Sequence, residues 1–171
     1  MIEERVVKKI ALFFYFFGIL LFSVNAQDDL PLRGRGDYKW LFLHIYEARL
    51  WAHPGDDLFE KPLALELKYS RSFKGKDIVT QSVKELKNAG ISDDQLKQWT
   101  PKLLEIFPDV QEGDTIKASF NPKEGIVFFL NKDKELGKLA DLNFSKKFLE
   151  IWLGEKTSAP DLRNKLLGKN I

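Results

Sequence analysis

The chain has 171 residues, 27 Lys and Arg against 25 Asp and Glu, no cysteine, and an interior rich in aromatic side chains, with 14 Phe and 4 Trp. Charge that is nearly balanced and interspersed offers no basic stripe to nucleic acid, and a chain without cysteine folds without disulfides, so its stability comes from packing. With His44 and His53 as its two histidines and no acidic pair at ligand spacing, neither a metal site nor a cofactor site is expected.

Residues 1–9 hold Arg5, Lys8 and Lys9, together with Glu3 and Glu4. Ile10 to Phe22 is then apolar apart from Tyr15 and Gly18, and Ser23-Val24-Asn25-Ala26 follows. A basic start, an apolar stretch and an A-x-A-like site read as a secretory signal over residues 1–26. The apolar stretch is shorter than the roughly 20 residues of a membrane span. The expectation is therefore an exported protein, periplasmic or secreted, with no stable span after cleavage. Residues 27–171 are one domain by size, large enough for a real core.

Residues 39–52 read as a strand with apolar side chains in both parities at its start: Leu41, Leu43 and Ile45 against Phe42, His44 and Tyr46. Such a strand is expected to be covered on both faces, and His53-Pro54-Gly55-Asp56 turns the chain. Residues 63–71 alternate, with Leu63, Leu65, Leu67 and Tyr69 on one side, as in a half-buried strand.

Residues 76–89 are helical, with Ile78, Val79, Val83 and Leu86 on one face and Gly90 as the stop. Ser92 to Gln95 is a capping box opening a second helix, in which Pro101 falls near the first turns or makes a kink. Thr115–Phe120 and Ile126–Leu130 form a hairpin, and a short strand around 136–140 follows. Asp141 or Asn143 caps a helix bearing Phe144, Phe148, Ile151 and Trp152, ended by Gly154. A second capping box at Ser158–Asp161, with Pro160 near N1, opens the last helix, and Gly168 ends it. The class is α+β, an antiparallel sheet backed by a layer of helices.

No G-x-S-x-G is present, and R-G-R-G at 33–36 lacks the spacing of a phosphate loop and precedes a strand. The residues themselves show no catalytic constellation. An arginine-flanked strand beside an aromatic interior suits an apolar small molecule with one anionic end.

Three stretches carry a resemblance. They are LPLRGRG leading into a strand, KNAGISDDQLKQWTPKLLEIFPDVQEGDTIKASFNPKEGIVFF, and FLEIWLGEKTSAPDLRNKLLG. Together they resemble the chalcone isomerase superfamily, in its bacterial chalcone isomerase-like branch. The resemblance implies an open-faced sandwich with a ligand cleft between sheet and helices. It places the substrate-holding arginine of the plant enzymes on Arg33 and a cleft threonine on Ile45. The cleft tyrosine falls on Lys74, beside Phe73, and the first-helix asparagine falls on Gln81, beside Ser82. A Ser or Thr before the terminal I-G falls on Ile151. Tyr69 joins these as a candidate ligand-binding residue.

With the hydrogen-bonding positions replaced, a site that orients a nucleophile loses its geometry, so chalcone cyclisation is not expected. Fatty-acid-binding members of the superfamily keep an arginine for the carboxylate. Arg33 is thus the expected anion anchor, Lys74 the competing one, and Phe148 and Trp152 are expected around the tail. His44 and Arg49 are expected to be structural, and Arg35 to be solvated. The expected function is non-catalytic binding of a small apolar or amphiphilic, fatty-acid-like ligand. One alternative is an isomerase or intramolecular lyase with a divergent residue set; another is a protein–protein adaptor whose cleft is filled by its own aromatics.

Overall fold

The computed structural model describes residues 30–169. The expected signal segment over residues 1–26 lies outside the described residues. The elements, in order, are β1 (Leu32–Trp40), β2 (Leu43–Ala52), β3 (Leu63–Tyr69), α1 (Gly75–Asn88), α2 (Asp93–Ile106), β4 (Thr115–Asn121), β5 (Gly125–Leu130), β6 (Lys134–Leu139), α3 (Leu142–Leu153) and α4 (Pro160–Leu166). The six strands form one antiparallel sheet in the order β1-β2-β3-β4-β5-β6. The α+β expectation holds: among the described residues an open sheet carries four α-helices.

The first strand was not legible as one. The pattern predicts a single strand over 39–52, but residues 32–52 form a hairpin that turns at Leu41-Phe42. The apolar residues in both parities at 41–43 are therefore an exposed tip, not a strand covered on both faces. Gly34 and Gly36 serve packing. A Cβ on Gly34 would lie 2.1 Å from the Lys165 carbonyl oxygen, and one on Gly36 would lie 2.9 Å from Leu162 Cδ1. Both glycines let α4 settle directly on β1.

The inward residues of the alternating strand behave as their period dictates. Leu63, Leu65, Leu67 and Tyr69 are buried, and they pair across to Ala52, Leu50, Ala48 and Tyr46. Phe120, Phe128, Phe144 and Phe148 are fully buried, each contributing roughly 1.5–3 kcal/mol of apolar transfer. Their rings meet edge-on or tilted, as in Phe128–Phe148 at 5.3 Å and Phe144–Phe148 at 5.5 Å.

The caps are partly as expected. Ser92 Oγ accepts from the Gln95 amide, and Asp141 Oδ1 accepts from the Phe144 amide at 2.9 Å. Asp141 Oδ2 also accepts from Trp99 Nε1 at 3.1 Å, tying α2 to the start of α3. Pro101 sits inside α2 rather than near its start. At α4 the expected capping box is absent. Ala159 is the N-cap with no side-chain bond, and Thr157 fixes the approach instead. The Thr157 hydroxyl donates to the Ile151 carbonyl at 2.6 Å and accepts from the Ala159 amide at 3.2 Å.

What opens a cleft is the seating of the helices. α3 packs on β5 and β6, and α4 on β1 and β2, whereas α1 makes its main contacts with α2 and α3. α1 thus stands off the middle of the sheet.

Candidate ligand-binding cleft

Between α1, α3 and the sheet lies a cleft of about 570 Å³, within the usual range for small-molecule sites. Its floor is Leu65, Leu67, Ile116, Ala118 and Phe128 from β3, β4 and β5, and Phe107, Phe148 and Trp152 close it from the helical side. These residues point inward because each strand contributes every second side chain to the covered face. Among the described residues, aromatic side chains line the cleft without filling it.

A row of tyrosines crosses the sheet at the other end of this floor. Tyr38, Tyr46 and Tyr69 are register partners on β1, β2 and β3, and all three line the cleft. Tyr38 and Tyr46 stack at 5.1 Å, and Tyr46 meets Tyr69 edge-on at 6.3 Å. The Tyr46 hydroxyl accepts from Trp152 Nε1 at 2.9 Å. Neither the Tyr46 nor the Tyr69 hydroxyl proton has an acceptor among the described residues. Burial pushes both phenols well above their ordinary range. Tyr38 is raised as well, by burial first and then by the Glu85 carboxylate. All three stay protonated at ordinary pH, so Tyr46 and Tyr69 present O–H donors in an apolar space.

The rim comes from α1, with exposed Asp77, Gln81, Lys84 and Asn88 and half-buried Glu85, and from Ser158 before α4. Gln81 Nε2 donates to Glu85 Oε1 at 2.7 Å, and the Ser82 hydroxyl donates to the Ile78 carbonyl at 2.9 Å. Lys84 is the one cation among the lining residues, against two carboxylates.

The structure brings together four of the six sequence-derived candidates: Ile45, Tyr69, Gln81 and Ile151 all line the cleft. Ile45 and Ile151 confirm that no hydroxyl stands at those positions. Arg33 and Lys74 lie outside the lining. Arg33 Nε donates to the Leu167 carbonyl and Nη1 to the His53 carbonyl, both at 3.3 Å. The guanidinium thereby caps the C-terminus of α4 and holds it to the turn after β2. This corrects the expectation that Arg33 faces the ligand: R-G-R-G belongs to a strand beneath α4.

Lys74 Nζ donates to Asp109 Oδ2 at 2.7 Å, and Asp109 Oδ1 accepts from the Gly75 amide at 2.9 Å. The pair pins the N-terminus of α1 to the loop after α2. Phe73, its neighbour, is the residue that enters the lining.

The expectations for His44, Arg49 and Arg35 agree with the structure. His44 lies between Asp37 Oδ1 at 3.0 Å and Ser70 Oγ at 3.3 Å. Arg49 pairs with Glu47 and reaches Glu66 at 3.7 Å. Arg35 and His53 are exposed.

Sequence reasoning missed Tyr38 and Tyr46 as cleft residues. The signal lay in the hairpin, since residues placed nearly symmetrically about a turn at 41–42 face each other, but that turn carries no Gly, Asn or Pro to mark it.

Comparison with known proteins adds the family. The family model described as chalcone isomerase-like matches residues 23–168. The chain belongs to the chalcone isomerase-like family. This member is 28% identical over 152 residues to a Haemophilus influenzae protein of uncharacterised function, covering 88% of this chain and 74% of that one. Among solved structures it is similar to an Arabidopsis thaliana fatty-acid binding protein, with a TM-score of 0.62 and 18% identity over 82% of this chain and 88% of that one. At that identity the likeness shows a shared fold.

Proposed function

We propose that this chalcone isomerase-like protein binds an amphiphile of the fatty-acid type in the cleft and does not transform it. The observation that carries the reading is the apolar cleft in which the Tyr46 and Tyr69 O–H protons have no acceptor among the described residues, while the nearby Glu85 carboxylate is engaged by Gln81. The tail lies among Leu65, Leu67, Phe107, Phe128 and Phe148, and the polar head accepts from Tyr46 and Tyr69. The fold it shares with a fatty-acid binding protein supports this reading, as do Ile45 and Ile151 where the resemblance assigns hydroxyls to the cyclising enzymes. Because Asp77 and Glu85 outweigh Lys84 at the rim, the head is recognised by hydrogen bonds rather than by an ion pair.

Calorimetric titration with oleate and with oleyl alcohol tests it. A hydrogen bond contributes about 1 kcal/mol net, so Tyr69→Phe weakens both ligands about fivefold. Lys84→Ala changes either by less than about threefold. Micromolar binding unaffected by Tyr46→Phe and Tyr69→Phe sinks the assignment of the head group. Saturable cyclisation of a chalcone above the uncatalysed rate sinks the non-catalytic reading.

The reading includes export, supported by the signal pattern over residues 1–26. Exported material then begins at Gln27 by N-terminal sequencing, and a chain beginning at Met1 in the membrane fraction overturns this.

A further inference from the structure

The tip of the β1–β2 hairpin is Trp40-Leu41-Phe42-Leu43, four consecutive large apolar residues. Trp40 is 60% exposed, Leu41 74% and Phe42 100%. Leu41 takes a φ of 55°, a conformation that a leucine rarely adopts and that Asn or Gly occupies easily. A polar turn would fold more readily here, so the apolar side chains come at a local conformational cost. Exposed apolar groups of this size mark an interaction site.

Two observations say what covers them. Trp40 belongs both to the tip and to the lining of the cleft, so whatever seats the tip also stands at the cleft's mouth. The second is charge. Lys39 adjoins the tip, and Lys68 and Arg71 share a shallow depression with Phe42 and Leu43. All three cations are exposed and make no ion pair among the described residues. Of the acids nearby, Glu47 pairs with Arg49 and Asp37 hydrogen-bonds His44, so Asp37 and, in the depression, Glu112 stand against the three cations.

We propose that this hairpin tip inserts into a lipid bilayer containing anionic headgroups and brings the mouth of the cleft onto the membrane surface. A convex two-residue turn with a fully exposed Phe at its apex, a Trp at its shoulder and basic residues around it has the arrangement of an interfacial anchor. A flat or concave apolar face would fit a protein partner better. The link to the cleft rests on the proposed function, since an amphiphile partitions into bilayers and enters the cleft from there.

The absence of cysteine allows a single-site test on the full chain. Phe42→Cys is labelled with an environment-sensitive fluorophore, and Lys123→Cys, exposed in the β4–β5 turn at the opposite end of the sheet, is labelled as the control. Each is mixed with vesicles of phosphatidylcholine and phosphatidylglycerol. The label at position 42 shifts to the blue and brightens, whereas the label at 123 does not. Leu41→Asp lowers the partition coefficient read at position 42 about tenfold, the scale of withdrawing one large apolar side chain from an apolar phase.

Equal response at both positions, or none at 42, overturns the proposal. So does a blue shift at 42 that grows with protein concentration in the absence of vesicles and tracks a dimer in sedimentation, because the tip is then a protein interface. Oleate calorimetry on the same samples separates the two readings. Vesicle insertion without oleate binding leaves the tip's role standing and removes the cleft's. Oleate binding without insertion does the reverse.

Discussion

Arg33 shows how much a residue's role depends on what surrounds it. From the sequence it is a cation at the mouth of a strand, and from the family an anion anchor. In the fold it donates to the Leu167 and His53 carbonyls. Arg33→Ala therefore lowers stability by about 1–2 kcal/mol through two lost charged hydrogen bonds, seen as a fall of several degrees in Tm, while oleate affinity stays within about twofold. A larger loss of affinity with unchanged Tm would restore it as an anchor.

Asp114 makes the opposite case, a residue whose sequence signal, Gly113-Asp114 at the start of a hairpin, says nothing of its side chain. Its carboxylate accepts from the Gln111 amide at 2.7 Å and from Asn131 Nδ2 at 2.8 Å. These bonds hold its pKa below the ordinary 3.8. A carboxyl group whose pKa is depressed by folding adds stability above its unfolded pKa, and that stability is lost as pH falls through the lower, folded value. Denaturant titrations of the wild type and Asp114→Asn thus converge on acidification below about pH 4, with the wild type losing more. Parallel curves down to low pH refute the assignment.

Among the elements, α4 and β1 define one another. In the sequence Gly34 merely precedes a strand; in the structure it is the floor under a helix. Gly34→Ala sets a methyl against backbone oxygen atoms that cannot rotate away. The cost is at least about 3 kcal/mol, beyond the usual range for overpacking against side chains, and shows as a lowered denaturation midpoint with unchanged slope.

The elements that were legible share a property. β3 alternates, and α1, α2 and α3 each carry a periodic apolar face bounded by a Gly stop or a Ser or Asp cap, so local pattern and tertiary burial agree. The first hairpin was not legible because both of its signals point the wrong way. Glycines in β1 serve packing against α4, and apolar residues at 41–42 stand where turn formers are expected. Tyr38 and Tyr46 went unread for the same reason, whereas the family resemblance pointed to Ile45, Gln81 and Ile151, which line the cleft, and equally to Arg33 and Lys74, which hold α4 and α1 instead.

For the molecule as a whole, the cleft follows from one helix being held away from the sheet. Lys74, Asp109 and Gly75 fasten the start of α1 to the loop after α2, and a Cβ on Gly75 would lie 2.1 Å from the Phe107 carbonyl oxygen. Asp109→Ala loosens this fastening but touches no lining residue. It leaves the oleate affinity of the folded protein within about threefold while speeding amide exchange in the first turn of α1, where the Gly75 N–H loses its acceptor. Exchange as slow as in the wild type would show that the cleft's geometry is set elsewhere.

The bond from Arg33 to Leu167 spans 134 positions, while the strands of the sheet each pair with their immediate successor. That contrast sets a timetable. As the chain leaves the ribosome, each hairpin of the meander finds its partner within a short stretch of new sequence. The glycine floor of β1 stays bare until residues 160–167 appear, well after the rest of the sheet has been made. A chain stalled before that point holds an assembled sheet with an uncovered edge, the species a chaperone or a protease meets first.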